Sequence, residues 1–421
     1  MKIIFDLELH SKYARAVSKD MVPEHMALWA SKKGIDVIGT GDITHPAWMK
    51  ELKEKLEPAN EGLFRLKGAK GKTANVRFLL QGEISCIYSK NGKVRRVHQL
   101  IYAPSFEVID KINNQLSWIG NLNADGRPML GLDSKKLLQI LLDASPDAHL
   151  IPAHAWTPWF GIFGSKSGFD SLNECFDELT DRVFAIETGL SSDPPMNWRI
   201  PFLDGKSIVS GSDAHSLPKI GREATVVDVP ELSYGNIFEA IKSRDPKRFL
   251  FTIEFFTEEG KYHIDGHRDQ SHSQMPEETK KAGGKCKACG RAVTVGVMSR
   301  VGQLADPARP DGFRHPEAIP FKKLVPLQEI ISEAEGVGVG TKTVRTIYND
   351  LVEEIGSEFS ALLDASRDQI KDACGNVKVA EAVMRMRQGK LYIEPGYDGE
   401  FGKIKIFEEG EKIDEVQSSL F

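Results

Sequence analysis

The stretch MKIIFDLELH, residues 1–10, decides how the rest of the chain is read. Lys2-Ile3-Ile4-Phe5 has the β-branched and aromatic character of a buried opening strand. Side chains alternate faces along a strand, so Asp6, Glu8 and His10 are expected to project together from its far end. Three groups with metal-ligand chemistry on one face are a costly thing to bury for stability alone. A metal-binding strand of the familiar kind carries His-x-His here, whereas this one carries Glu8-x-His10. Either the site is altered or it is lost, and the remaining strands must decide.

The bulk properties narrow the class. At 421 residues the chain accommodates a full-sized domain and at least one smaller one. A hydrophobic share of 41% and a charged share of 27% are ordinary for a soluble globular protein. No apolar run reaches the length of a bilayer span, and the first residues enter a strand with no basic leader. A cytoplasmic, nucleoid-associated protein with no membrane partner is the expectation. The net charge of -5 gives no global attraction to nucleic acid, although one local basic groove would suffice for it. Of the five cysteines, Cys86, Cys175 and Cys374 stand alone, while Cys286 and Cys289 form a C-x-x-C pair. That pattern is no disulfide framework and suits a reducing compartment with one metal knuckle.

Up to about residue 255, short β-rich runs (IDVIGT, VRFLLQGEIS, HQLIYAP, AHLIPAH, VFAIETG, SIVSGSD) alternate with helix-like segments at 23–33, 105–116, 134–143 and 171–180. Such a rhythm predicts repeated βα units in a parallel barrel or doubly wound sheet. Polar residues follow the apolar runs, which is where barrel active sites form. Glu8 and His10 end the first strand, Asp42 and then His45 follow IDVIGT, and Glu83 follows VRFLLQ. His98 precedes QLIYAP, His154 ends LIPAH, Glu187 and Asp193 belong to AIETGLSSD, and Asp213 and His215 end SIVSGSDAH. One such histidine is more often structural than functional. Recurrence after five or six strands predicts a shared centre, and mixed imidazole and carboxylate ligands suit Zn, Mn or Fe in a multinuclear cluster.

The motifs DLELHS, GTGDITH, QGEIS, VHQL, IPAHAW and GSDAH resemble those of the polymerase-and-histidinol-phosphatase (PHP) superfamily. That resemblance implies an α/β fold, a distorted (βα)7 TIM-like barrel, with a trinuclear metal centre that hydrolyses phosphoesters. The superfamily usually opens with His-x-His and continues with Thr-Asp-His. Here Glu8-x-His10 and Thr40-Gly41-Asp42 keep ligand-competent side chains, so Glu8 is expected to be a ligand. The longer stretches DLELHSKYARAVS, GIDVIGTGDITHPAW, PAHAWTPWFGIFGSKSGFDSLNE, ETGLSSDPPMNWR, GSDAHSLPKIGREA and KYHIDGHR are similar to the endonuclease Q family over essentially the whole chain.

The family resemblance implies a repair enzyme of archaea and some bacteria that cuts damaged DNA, double- or single-stranded. The cut falls 5′ of deoxyinosine, deoxyuridine, deoxyxanthosine or an abasic site and leaves a 3′-hydroxyl and a 5′-phosphate. It also implies Mg²⁺ or Mn²⁺ for catalysis, with Zn²⁺ structural and within the catalytic cluster. Carried over residue by residue, Glu8, His10, Asp42, Glu83, His98, His154, Asp193, Asp213 and His215 are the expected metal ligands. Asp193, Asp213 and Glu83 are the expected catalytic carboxylates, while His45 and Glu187 are either ligands or supporting residues. A 3′-exonuclease, a small-molecule phosphatase, or a non-catalytic nucleic-acid scaffold with a decayed barrel are the alternatives.

Three further segments carry expectations. In AWTPWFGIFGSKSGFDS, directly after His154, Trp156, Trp159 and Phe160 are expected to wall a pocket for an extruded base, with Ser171 at its end as a DNA contact. The pair Cys286 and Cys289 predicts a structural zinc site completed by His267 and His272. From about residue 321 the chain is helical, and EGVGVGTKTV either offers backbone N–H groups to a phosphate or makes a tight helix–helix connection. Lys342 and Arg345 follow that turn as candidate phosphate contacts. Three units result: a catalytic barrel at 1–255, a zinc-binding module at 256–310 and a helical DNA-binding region at 311–421, whose end, LYIEPGYDGEFGKIKIF, forms a hairpin. The terminal QSSLF begins like a sliding-clamp docking peptide at Gln417 and Leu420 but stops at Phe421 before an aromatic pair.

Overall fold

The computed structural model of the chain describes residues 1–408 and 410–411, so the clamp-like Gln417, Leu420 and Phe421 lie outside the described residues. Strand β1 (Lys2–Asp6), helix α1 (Pro23–Lys33) and strand β2 (Val37–Gly39) form a parallel unit, with Phe5 opposite Val37. Helix α1 stops at Gly34, whose φ of 85° is left-handed and whose N–H returns to Ala30 O at 2.9 Å. Helix α2 (Pro46–Lys55) leads into the hairpin β3 (Leu56–Asn60) and β4 (Leu63–Leu66). Strand β5 (Arg77–Lys90) then lies parallel to β2.

At this point the alternating pattern breaks. VRFLLQGEIS and HQLIYAP are not successive parallel strands. They are arms of one antiparallel hairpin, β5 and β6 (Lys93–Ala103), in register from Lys90 opposite Lys93 to Leu80 opposite Ala103. The turn is Asn91-Gly92 with φ of 55° and 72°, the two left-handed residues that match the twist of a tight hairpin. Helix α3 (Phe106–Ser117), short strand β7 (Met129–Leu130), helix α4 (Ser134–Ala144) and strand β8 (His149–Pro152) follow, and β8 runs antiparallel to β6. After α5 (Leu172–Phe176) come β9 (Ala185–Glu187), α6 (Pro194–Trp198) and β10 (Ser207–Val209). Strand β11 (Ala224–Asp228) runs antiparallel to β1, and β12 (Phe249–Glu254), beyond α7 (Tyr234–Ser243), runs antiparallel to β11.

The fold is therefore mixed α/β, and among the described residues its hydrogen-bonded ladder does not close. Strands β9 and β10 are three residues each and pair with one another, while a single bridge, Leu9 to Ala214, links the segments after β1 and β10. They still share the sheet's apolar centre: Phe5, Val37, Leu79, Tyr102, Ile151 and Val209 belong to one buried cluster. Phe78 and Leu80, on the opposite face of β5, belong to a second cluster with Trp48 and Trp156.

The remaining residues build on this body. The hairpin β13 (Asp265–His267) and β14 (His272–Gln274), helix α8 (Pro276–Lys281) and helix α9 (Val297–Leu304) surround the C-x-x-C turn. Arg300 on α9 donates to the carbonyls of Phe163 and Phe169 at 2.9 and 3.0 Å, tying this module to the loop after β8. Strand β15 (Phe321–Lys323) returns to the main sheet, parallel to β12. Helices α10 (Leu327–Glu335), α11 (Lys342–Ile355), α12 (Arg367–Cys374) and α13 (Val377–Arg387) follow, and a hairpin of β16 (Tyr392–Glu394) and β17 (Lys403–Lys405) completes the described chain. Among the described residues no helix is long and apolar enough to cross a membrane.

The helical region seats on the end of α1. A Cβ on Gly34 would lie 2.5 Å from Ser357 Oγ, so the approach there requires glycine. Beside it, the Lys33 ammonium lies 2.8 Å from the Glu358 carboxylate, with both side chains buried. Lys33→Met leaves that carboxylate buried without its counter-charge and is expected to cost about 3–5 kcal/mol in urea unfolding. Adding Glu358→Gln is expected to restore part of the loss.

Candidate metal centre

The loops after β1, β2, β8, β9 and β10 meet the middle of the β5–β6 hairpin in one pocket. Glu8, Glu83 and Asp213 place carboxylate oxygens within 4.8 Å of one another; so do the donor atoms of His10, Asp213 and His215, and those of Glu83, His98 and His154. His10 Nε2 lies 3.1 Å from Glu83 Oε2 and 3.2 Å from Asp213 Oδ1. His154 Nε2 lies 3.1 Å from His98 Nδ1 and 3.4 Å from Glu83 Oε1. Glu187, left open by sequence, joins them: its Oε2 accepts from His154 N at 2.8 Å.

Local backbone serves this convergence. Asp42, His154 and Asp213 have φ of 49°, 28° and 45°, a region where side-chain-bearing residues are strained and which clusters at functional sites. Gly211 lets two carboxylates approach, since a Cβ there would lie 2.6 Å from Glu187 Oε1 and 2.8 Å from Glu8 Cβ. Two groups orient rings. Asp42 Oδ1 pairs with His10 Nδ1 at 3.1 Å while Oδ2 accepts from Ser11 N and Oγ at 2.7 and 2.6 Å, and Thr157 Oγ1 pairs with His154 Nδ1 at 2.8 Å. Asp42 therefore turns Nε2 of His10 toward the pocket and belongs to none of the three donor groups.

The donor set fits divalent cations. Among the described residues, both carboxylate oxygens of Glu8 are buried without a hydrogen-bond partner, and His10 Nε2, Glu83 Oε1 and Asp213 Oδ1 are buried against other groups of the cluster in no well-formed hydrogen bond. Buried polar atoms are rarely left so, and oxygen and imidazole nitrogen facing one another suit a bound ion. Burial first, then the charges of Glu187, Asp213 and Glu83, hold Glu8 well above the usual carboxyl range. Burial pushes Glu187 up to about 8. Burial also works against ionised Glu83, but the Arg127 guanidinium and His98 bring it well below the ordinary value. His98 is lowered to about 4, chiefly by burial.

Several sequence expectations change. Asp193 stays outside the cluster: its Oδ2 lies 2.8 Å from Lys323 Nζ, and its Oδ1 accepts from Met196 N at 3.1 Å as the cap of α6. His45 caps α2 and stacks on Tyr13 at 4.5 Å. Asp6 does not face the pocket, because its carboxylate accepts from the backbone N–H groups of Ser212 and Gly221 at 3.0 and 2.9 Å. Trp156 is fully buried and donates from its ring to Asn197 Oδ1 at 2.7 Å, so it cannot wall a pocket open to a base. Phe160 backs His98 with ring centroids 4.4 Å apart, and Ser171 caps α5 by accepting from Glu174 N. Trp159 is the outward ring, 39% exposed, edge-on to Tyr262 at 5.3 Å with Lys166 above it. Lys342 and Arg345 are exposed in the first turn of α11, behind the Thr341 cap.

Sequence reading missed Arg127, whose Nη1 lies 3.1 Å from Glu83 Oε2. It follows no strand, and an Asp-Gly-Arg-Pro turn in a loop carries no signal of a site. In the C-x-x-C segment, His267, Cys286 and Cys289 bring donor atoms within 4.8 Å, with His267 Nδ1 3.2 Å from Cys289 Sγ. Backbone N–H groups of Cys289 and Ala288 outweigh burial and lower the Cys286 thiol. His272 sits opposite His267 on the hairpin but is not part of that group, although among the described residues its buried Nε2 has no partner.

Comparison with known proteins identifies the class. The family model described as PHP-associated matches residues 204–246, and the MJ0043 C-terminal domain model matches residues 326–390. The chain is 34% identical over 262 residues to MJ0043 of Methanocaldococcus jannaschii, spanning 60% of this chain but only 31% of that protein. It is 28% identical over 419 residues to YqxK of Bacillus subtilis, spanning 96% and 99%. Its structure superposes on the lesion-specific endonuclease PfuEndoQ from Pyrococcus furiosus with a TM-score of 0.84 and 30% identity over 99% of each chain. An endonuclease Q in complex with a 27-mer duplex bearing an abasic lesion at the active site gives the same TM-score and identity over 99% of this chain and 100% of that one. These likenesses define a PHP-type protein. The chain belongs to the endonuclease Q family of the PHP superfamily.

The raised carboxyls predict a pH dependence. Burial favours the protonated form of both groups, with Glu187 pushed up to about 8 and Glu8 held well above the usual carboxyl range. A carboxyl raised on folding favours the fold below its unfolded pKa of about 4.3, and that contribution is lost as pH rises through about 8. Cation binding requires the carboxylates, so uptake of Mn²⁺ is expected to release protons and to tighten about tenfold per pH unit per proton over that window. Calorimetry in two buffers of different ionisation enthalpy measures the protons released.

Proposed function

We propose that this protein is a lesion-specific DNA endonuclease that hydrolyses the phosphodiester on the 5′ side of abasic sites and of deaminated bases such as deoxyinosine and deoxyuridine. What carries the reading is the likeness, over essentially the whole chain, to an endonuclease Q bound to duplex DNA with an abasic lesion at its active site. The cut leaves a 3′-hydroxyl and a 5′-phosphate. In this reading residues 1–255 are the catalytic unit, 256–310 a zinc module, and 311–421 a helical DNA-contacting region.

Glu8, His10, Glu83, His98, His154, Glu187, Asp213 and His215 would hold the divalent cations, Mg²⁺, Mn²⁺ or Zn²⁺. When bound, such ions neutralise phosphodiester charge and make water a competent nucleophile near neutral pH. Asp42 and Thr157 fix the rings of His10 and His154, so the donors meet substrate already oriented. Asp213, whose side chain is 26% exposed while Glu83 is sealed, would hold the attacking water on the solvent side of the cluster. Trp159 offers a stacking face for an extruded nucleotide, with Lys166 beside it to meet a phosphate. Lys342 and Arg345 present exposed positive charge to the backbone further along. Cys286, Cys289 and His267, with His272 across the hairpin, would hold the structural zinc.

Two experiments test this. On 5′-labelled duplexes with deoxyinosine, deoxyuridine, an abasic site or no lesion, with Mg²⁺ or Mn²⁺, a single cut 5′ of each lesion is expected. The undamaged duplex is expected to stay whole, and Asp213→Ala to lower incision by at least about 100-fold. Trimming of every duplex from its ends would instead support a 3′-exonuclease. Separately, Cys286→Ser is expected to remove one zinc per chain by elemental analysis and to make the 256–310 segment protease-sensitive, without removing the cations of the main pocket.

A further inference from the structure

One guanidinium meets the clustered carboxylates directly. Arg127 Nη1 donates to Glu83 Oε2 at 3.1 Å, and among the described residues its side chain makes no other hydrogen bond. Guanidinium carries five N–H donors in a rigid planar fork, so most of its donors remain to be matched. Glu83 is fully sealed, whereas the Arg127 side chain is 26% exposed. The group therefore bridges the buried carboxylates and the open mouth.

The loop that delivers it is fixed on both sides. Gly126 N donates to Tyr13 O at 3.0 Å, and Ser85 N donates to Pro128 O at 3.0 Å, anchoring the loop to the segment after β1 and to β5. Asp125 Oδ1 accepts from Arg127 N and Arg15 N at 3.1 and 3.2 Å. A side chain on Gly126 would collide with the Asp42 carboxylate and lie 2.8 Å from Ala14 N, so the loop lies directly against the carboxylate that orients His10. Neutralising one carboxylate does not need a fork held at the mouth, since an ammonium or an imidazole serves that purpose.

We propose that Arg127 is a ligand of the scissile phosphodiester, donating its outward N–H groups to a non-bridging oxygen while Glu83 fixes the inward edge. The inference rests on the endonuclease reading and names a group that touches the reacting phosphate. In the hydrolysis, water oxygen bonds to phosphorus as the bond from phosphorus to the 3′ oxygen breaks, and one water proton ends on that oxygen. The added negative charge on the non-bridging oxygens is what the guanidinium meets.

The test compares wild type, Arg127→Ala and Arg127→Lys on an abasic duplex whose scissile linkage is either phosphodiester or neutral methylphosphonate. Binding is read under Ca²⁺, bound metals by elemental analysis, and incision of the phosphodiester duplex under Mn²⁺. Wild type is expected to bind the neutral linkage roughly 10- to 100-fold more weakly. Arg127→Ala is expected to bind the phosphodiester about 10-fold more weakly than wild type and to lose less on methylphosphonate than wild type does, what remains being the share of the cations. Arg127→Lys, charged but not forked, falls between, and all three proteins keep the same metal content. An Arg127→Ala protein that is as sensitive to methylphosphonate as wild type, or that has lost its metals, overturns the proposal, because Arg127 then only supports Glu83. Wild type that incises no lesion duplex defeats the endonuclease reading itself, an outcome read separately from the variants.

Discussion

Holding Glu8, Glu83 and Glu187 out of water with Asp213 beside them is the constraint on which this structure depends. Four like charges in one pocket repel, and burial makes each costlier. The protein answers locally by raising the carboxyls of Glu8 and Glu187, with imidazoles against Glu83 and Asp213, and with the Arg127 guanidinium on Glu83. It answers globally by strand geometry, because ends of separate strands approach one another without the chain having to fold back on itself between them. The left-handed Asp42, His154 and Asp213 are the backbone cost of aiming those side chains.

The chain's own sequence made much of this legible. A ligand-type side chain just beyond an apolar run reads directly onto a strand end, and Glu8, His10, His154, Asp213 and His215 were all found by that pattern. The helices at 23–33, 105–116 and 134–143 followed from the alternation of helix-like and β-rich segments, and the structure adds the caps Ser105 and Asp133 to two of them. Less legible was strand direction. The Asn91-Gly92 signal for a tight hairpin was present, but the alternation of apolar runs with helical ones suggested parallel units throughout.

Side chains on loops escaped for a different reason. Which way Asp193 points is settled by Lys323, a residue far along the chain on a strand of three residues. Trp156 was read as an exposed wall because it follows His154, yet Asn197 supplies a buried acceptor that makes the interior the better place for its ring. Arg127 is the converse: nothing adjacent marks it, and only the packing of its loop against Tyr13 and β5 brings it to Glu83. Proximity in sequence predicts the neighbourhood of such residues but not their partners.

Strand β15 alters how the molecule comes into being. Residues 321–323 add to the open side of β12, so the edge of the principal sheet is covered by chain that lies beyond the cysteine-bearing module. As the polypeptide is synthesised, β12 emerges with its hydrogen-bonding groups bare and stays so until the module and the segment behind it have also been made. A bare strand edge invites pairing with other chains. Assembly of the first half therefore waits on the second, and the interval in which the nascent protein is most exposed to association is set by the length of the intervening module rather than by the sheet itself.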